Sequence, residues 1–109
     1  MREYTPDTWV VLEFDAPQLE VPLRKVFAGW YGGYTGSDSW KLNSGITTIR
    51  RDGDWLEFDG YSGSTYRCHR HNYGFSGLMH SIYERWLTQA DERGDMTIRI
   101  LSIDEITET

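Results

Sequence analysis

The stretch RRDGDWLEFDG, Arg50 to Gly60, carries the strongest local signal in the chain. Asp52-Gly53 supplies the positive backbone dihedrals of a two-residue type I′ turn, and strand-forming runs lie on both sides of it. A β-hairpin is predicted here, and the surrounding sequence extends it into a sheet. Upstream, SWKLNS and ITTIRR read as strands with Gly45 between them as a bulge or bend. Before these, LRKVFAGWY, Leu23 to Tyr31, alternates Leu23, Lys25 and Phe27 against Arg24, Val26, Ala28 and Trp30. DAPQLEVP, with two prolines, is a turn. TWVVLEF, Thr8 to Phe14, is apolar at nearly every position, as expected of a strand buried on both faces.

Downstream of the hairpin, Gly63 to His71 continues as a further strand, after which the period changes. Leu78, Met79, Ile82, Tyr83, Trp86, Leu87 and Ala90 share one face of an amphipathic helix, with Ser76 as its N-cap and Gly94 closing it. MTIRILSI, Met96 to Ile103, forms a last strand, and Asp104 to Thr109 is an acidic tail. The predicted architecture is α+β: a single domain over residues 1–109, built as a twisted antiparallel sheet of about six strands with one amphipathic helix packed across it.

Composition narrows the partners. The net charge is -6, which opposes non-specific nucleic-acid binding because that needs clustered Lys and Arg. Residues 24–77 are mildly basic, with seven bases against five acids, between two acidic flanks. A basic partner surface would meet the flanks, and a small anion would meet the middle. Cys68 is the only cysteine, so no internal disulfide forms, and a cytoplasmic protein is expected. No apolar run approaches the roughly 18 residues of a membrane-spanning helix.

Four constellations carry candidate chemistry. Cys68, His69, His71 and His80 are zinc-type ligands, but strand alternation separates Cys68 from His69 and His71, so no metal site or cofactor is expected. Cys68 as a nucleophile needs a base, and only His80 offers one, with nothing recognisable to orient it. Glu57 and Asp59 share a strand face, whereas Asp52 and Asp54 flank the turn; turn chemistry accounts for these carboxylates without a catalytic role. The fourth is the concentration of ten of eleven glycines and ten of sixteen aromatics between Gly29 and Gly77. Tyr31, Tyr34, Tyr61 and Tyr73 lie beside glycines and serines in predicted loops, where tyrosine gives large contact area at low entropic cost. Trp30, Trp40, Asp38, Lys41, Arg67 and Arg70 join them as candidate partner or ligand contacts. The Ser76 and Gly77 amides near Arg67 and Arg70 are a weaker candidate for holding an anion.

GWYGGYTGSDSWKLNSGI followed by FDGYSGSTYRCHRHNYGFSG resembles small proteins encoded by bacteriophages and other mobile elements, over about half of the chain, Ala28 to Leu78. The resemblance implies a setting in which small acidic proteins occlude host proteins, including inhibitors of bacterial immunity of the anti-CRISPR kind. The leading expectation is therefore a non-enzymatic inhibitor of a host defence protein, such as a nucleic-acid-binding effector, using exposed aromatics and an acidic surface of Glu84, Asp91 and Glu92. A second reading is sequestration of a small nucleotide, with Lys41, Arg67 or Arg70 on its phosphate. A third is an enzyme using Cys68 or a histidine. Homodimerisation through an edge strand is left open.

Overall fold

The computed structural model describes residues 2–33 and 36–107. Eight strands form two four-stranded sheets: β1 (Glu3–Tyr4), β2 (Thr8–Asp15), β3 (Leu23–Trp30), β4 (Ser39–Leu42), β5 (Ile46–Asp52), β6 (Trp55–Gly60), β7 (Thr65–His69) and β8 (Thr97–Ile100). One sheet runs in the order β1-β7-β6-β5 and the other β4-β3-β2-β8. All pairings are antiparallel except β1 with β7. Helix α1 (Gly77–Arg93) and the short α2 (Ile103–Thr107) complete the fold.

The α+β class and the single main helix agree with the sequence expectation. The strands differ in arrangement, eight in two sheets rather than about six in one. The difference arises at Asn43–Gly45, where the chain leaves β4 in one sheet and enters β5 in the other. Asn43 is buried, and its Oδ1 accepts from the Val26 amide at 2.9 Å, prolonging the β3–β4 ladder by a side chain. Gly45 then takes φ +134, and a Cβ there would sit 2.7 Å from the Tyr61 ring. The crossover requires glycine on both counts.

Three layers result. In the β2–β3 register, Trp9 pairs with Ala28 and Val11 with Val26, and these face the other sheet. Leu56, Phe58, Tyr66 and Cys68 meet them from β6 and β7. The alternate residues Val10, Leu12 and Phe27 face α1, where Met79, Ile82 and Trp86 cover them. The unbroken apolar run of β2 thus follows from its place in the middle layer, with each face buried against a different element. Ser76 and Gly94 cap α1 as the sequence predicts: the Ser76 Oγ accepts from the Met79 amide, and Gly94 is left-handed.

Two expected elements change at the edges. The strand predicted over Gly63–His71 contracts to Thr65–His69 and passes into a single 3-10 turn, Arg70–Asn72. The strand predicted over Met96–Ile103 contracts to Thr97–Ile100, and through Thr107 the expected acidic tail is α2. There Ser102 Oγ accepts from the Glu105 amide and Glu105 Oε1 accepts from the Ser102 amide, a reciprocal cap that fixes α2 and seats Ile106 in the core between the sheets.

Candidate binding surface

The residues singled out in the sequence fall into separate places. Trp30, Trp40 and Lys41 come together with Tyr4 in an open cleft of about 480 Å³, where the end of β3 and the edge strand β4 approach β1. Register places them: Lys41 pairs with Ala28 and so points to the side of the other sheet, whereas Trp40 pairs with Gly29 and points to the helix side. The Lys41 ammonium lies 5.2 Å from the centre of the Tyr4 ring, and Tyr4 meets Trp30 edge-on at 6.2 Å. Trp30 is half-buried, and its Nε1 donates to the Thr5 carbonyl at 3.0 Å, pinning the indole to the β1–β2 connection. The Arg2 side chain donates to the Tyr4 hydroxyl and lowers its pKa, with the charge of Lys41 adding to the effect.

Trp40 packs its indole against Phe27 and Trp86 while remaining 38% exposed, and Tyr31, at the head of the glycine-rich loop, is 55% exposed. Two carboxylates hold that loop by its ends. Asp7 accepts from the Tyr31 amide at 2.8 Å, and Asp38 accepts from the Gly32 amide at 3.1 Å. Asp38 is therefore a loop-positioning residue rather than a free contact. Asp7 escaped the sequence reading because no local pattern marks a partner 24 positions away. Tyr34 lies outside the described residues.

Tyr61 is 70% exposed but belongs to a different cleft, with Leu19 to Arg24 and Ile46 to Ile49. Tyr73, expected in an exposed loop, is half-buried between the layers. Its hydroxyl donates to the Leu101 carbonyl and accepts from the Val11 amide at 3.0 Å, and its ring stands edge-on to Trp9 at 4.7 Å. Glu84 and Asp91, seven residues apart, share one outward stripe of α1 with Glu92 beside them, and all three are exposed.

The cations expected to meet phosphate are not assembled. Arg67 is held by Glu57 at 3.1 Å and Asp52 at 3.2 Å, with its guanidinium over the Trp55 ring. Arg70 lines a narrow notch with Arg51, apart from Lys41. Nor do the Ser76 and Gly77 amides form an anion site with them, because the Ser76 amide is buried and directed at Met79 Sδ at 3.5 Å.

Arg67 belongs to a three-by-three grid on the open face of its sheet. Thr48, Asp59 and Thr65 form one rank, Arg50, Glu57 and Arg67 the next, and Asp52, Trp55 and His69 the third. Arg50 pairs with both Glu57 and Asp59. Hydrogen bonds from Arg50 first, then from Thr48 and Thr65, hold the Asp59 carboxyl well below its usual pKa. Because the folded-state pKa is depressed, this stabilisation is present above the ordinary carboxylate range near pH 3.9 and is lost as pH falls below it. Acid titration monitored by thermal melting is expected to show a steeper fall in Tm below pH 4 for the parent protein than for Asp59→Asn.

Of the carboxylates around the hairpin, Asp52, Glu57 and Asp59 are thus neutralised across the sheet. Cys68 is fully buried, and burial pushes its thiol well above the ordinary value, so no thiolate is available at neutral pH. A thiol-specific reagent is expected to leave native Cys68 unmodified over hours and to react within minutes in denaturant. Rapid labelling of the native protein would contradict this placement. His69 accepts from the His71 amide at 3.2 Å and meets the Trp55 ring edge-on, and among the described residues no three His, Cys, Asp or Glu side chains converge on a possible metal position.

Among the described residues no helix is long and apolar enough to cross a membrane. Compared with protein-family models, curated proteins and solved structures, the chain matches none.

Proposed function

We propose that this chain is a non-enzymatic binding protein that occludes a surface of another protein and, in the phage-like setting its sequence resembles, inhibits a bacterial defence protein. The observation that carries the reading is the cleft of Tyr4, Trp30, Trp40 and Lys41 with Tyr31 beside it. Aromatic side chains are left partly in solvent there on a rigid strand edge, although the apolar side chains at the centre of β2 and β3, such as Trp9, Val11, Leu12, Val26 and Phe27, are fully covered. Large aromatics fixed by hydrogen bonds and neighbouring rings lose little entropy on contact, which is why they dominate the energetics of protein interfaces. The outward acids Glu84, Asp91 and Glu92 would steer a basic surface, such as a nucleic-acid-binding face, toward the helix side of Trp40.

The nucleotide reading receives less support. It needs a base-stacking aromatic and at least two free cations in one place; of the two cations beside the cleft aromatics, Arg2 is engaged with the Tyr4 hydroxyl and Lys41 lies over the Tyr4 ring, with Glu3 also on the wall.

Affinity capture from bacterial lysate tests the proposal. The parent protein is expected to retain a stoichiometric protein partner, and the double variant Tyr31→Ala, Trp40→Ala to retain at least tenfold less. Recovery of a nucleotide on denaturing the captured material, with no protein partner, would replace this reading with ligand sequestration.

A further inference from the structure

A cleft of about 580 Å³ lies on the opposite edge of the β1-β7-β6-β5 sheet, against β5. Among the described residues, three of the six exposed large apolar side chains ring it: Leu19 at 38%, Val21 at 72% and Tyr61 at 70%. One wall is the β2–β3 connection, and the floor is β5, which among the described residues forms ladder hydrogen bonds only with β6. β5 therefore presents one row of backbone amides and carbonyls without ladder partners beside an apolar wall. Exposed edges are where another strand adds, and here the bulge and the charged Arg50, Arg51 and Asp52 restrict which strand can do so.

A bulge at Thr47–Thr48 sets the pattern of that floor. Ile46 and Ile49 are three residues apart, yet both pack toward the core between the sheets, and Arg51, opposite the inward-facing Leu56, continues the same side. At one end of the cleft stands Glu20, and at the far end of β5 stands Arg51. Among the described residues neither has an ion-pair partner, whereas Arg24 in the same cleft is held by Glu13 at 3.1 Å.

We infer that β5 is a strand-addition site for an extended segment of a partner protein. The segment carries a basic residue at one end and an acidic residue at the other, with β-branched apolar residues at the alternate positions between. Its backbone pairs with β5, its inward apolar side chains cover Val21, Leu19 and Ile49, and its end charges meet Glu20 and Arg51. The inference rests on the reading of the chain as a protein-binding protein only in that its occupant is a protein segment; the site is distinct from the Trp30–Trp40 cleft.

The probe is the synthetic peptide Lys-Thr-Val-Thr-Val-Thr-Glu, together with its reversed sequence, titrated into isotope-labelled protein and followed by amide exchange and chemical shift. Strand addition predicts at least tenfold slower exchange at alternate amides between Ile46 and Arg51 with one of the two peptides, and shifts at Val21 and Tyr61. N-methylation of one alternate set of peptide amides should abolish binding, whereas methylation of the other set should leave it within about threefold. Val21→Asp should weaken it at least tenfold, with an unchanged melting profile as the control for folding. The inference is overturned if neither peptide perturbs β5 at millimolar concentration, or if binding is indifferent to both N-methylation patterns. It is equally overturned if β5 is already protected in a concentration-dependent dimer, in which case a second copy is the occupant. None of these outcomes bears on capture through Tyr31 and Trp40, so the two readings fail separately.

Discussion

Replacing Trp9 by alanine is expected to cost about 4–5 kcal/mol, at the upper end for loss of a buried aromatic side chain. Trp9 is fully buried where β2 meets the other sheet, with its ring 5.4 Å from Phe58 and edge-on to Tyr73. Two losses combine. The cavity would open at the contact between the sheets, where the β4-β3-β2-β8 sheet cannot move in without disturbing the α1 layer behind it. The indole Nε1 also donates to the His69 carbonyl at 2.7 Å, at the point where β7 ends, and that acceptor would be left unpaired. A loss of this size is a large fraction of the stability of a domain of this length. Denaturant unfolding should show a strongly lowered midpoint with little change in slope; Trp9→Phe should recover much of the packing but not the hydrogen bond. A cost below about 2 kcal/mol for Trp9→Ala would mean that the two sheets are not held through this residue.

The second large effect is expected at Tyr73. Its hydroxyl joins three elements: the ring stands after β7, the donor bond goes to Leu101 beyond β8, and the accepted bond comes from Val11 in β2. Tyr73→Phe leaves a backbone amide and a carbonyl without partners in a largely dry place, a cost of about 2–3 kcal/mol. The same residue predicts a pH effect. Burial raises the Tyr73 phenol to about 12, above its ordinary value near 10. The folded form therefore binds the proton more tightly than the unfolded chain. Its contribution is fully present below about pH 10 and is lost as pH rises toward 12. Tyr66, also raised to about 12 by burial, acts in the same direction. Alkaline melting curves should therefore fall less steeply for Tyr73→Phe than for the parent protein, despite the variant's lower starting stability.

Tyr73 also marks the limit of what sequence reveals here. Its neighbours, Asn72 and Gly74, give a loop signature, and the segment is a loop. Nothing local indicates that its hydroxyl reaches residues 62 and 28 positions away. By contrast, the Asp52-Gly53 turn, the caps of α1 and the doubly buried β2 are readable because each is encoded by neighbours in sequence. Division into two sheets is not. The strands β3, β4 and β5 follow one another through short connections, and only the φ of Gly45 and the buried side chain of Asn43 redirect the chain from one sheet to the other. The signal for α2 was present as Ser102-Ile103-Asp104-Glu105, a capping box hidden by the acidity that suggested a tail.

The binding surface shows the same division. Trp30 and Lys41 are close in sequence and share one face of adjacent antiparallel strands, so they meet in one cleft, whereas Trp40 borders it with its ring on the helix side. Tyr4, which completes that cleft, comes from a two-residue strand that pairs in parallel with β7, a contact without any local trace. Arg67 looked available because its partners lie on other strands, Glu57 on the adjacent β6 and Asp52 on β5 beyond it, 10 and 15 positions away.

The most direct test of the account is an amide-exchange footprint of the protein bound to its captured partner. Occlusion through the aromatic cleft predicts slowed exchange at Tyr31 and across Ser39–Lys41 relative to the free protein. Unchanged exchange throughout that edge, with protection confined to the polar grid of Arg50, Glu57 and Arg67, would contradict it and place the partner on the opposite layer of the fold.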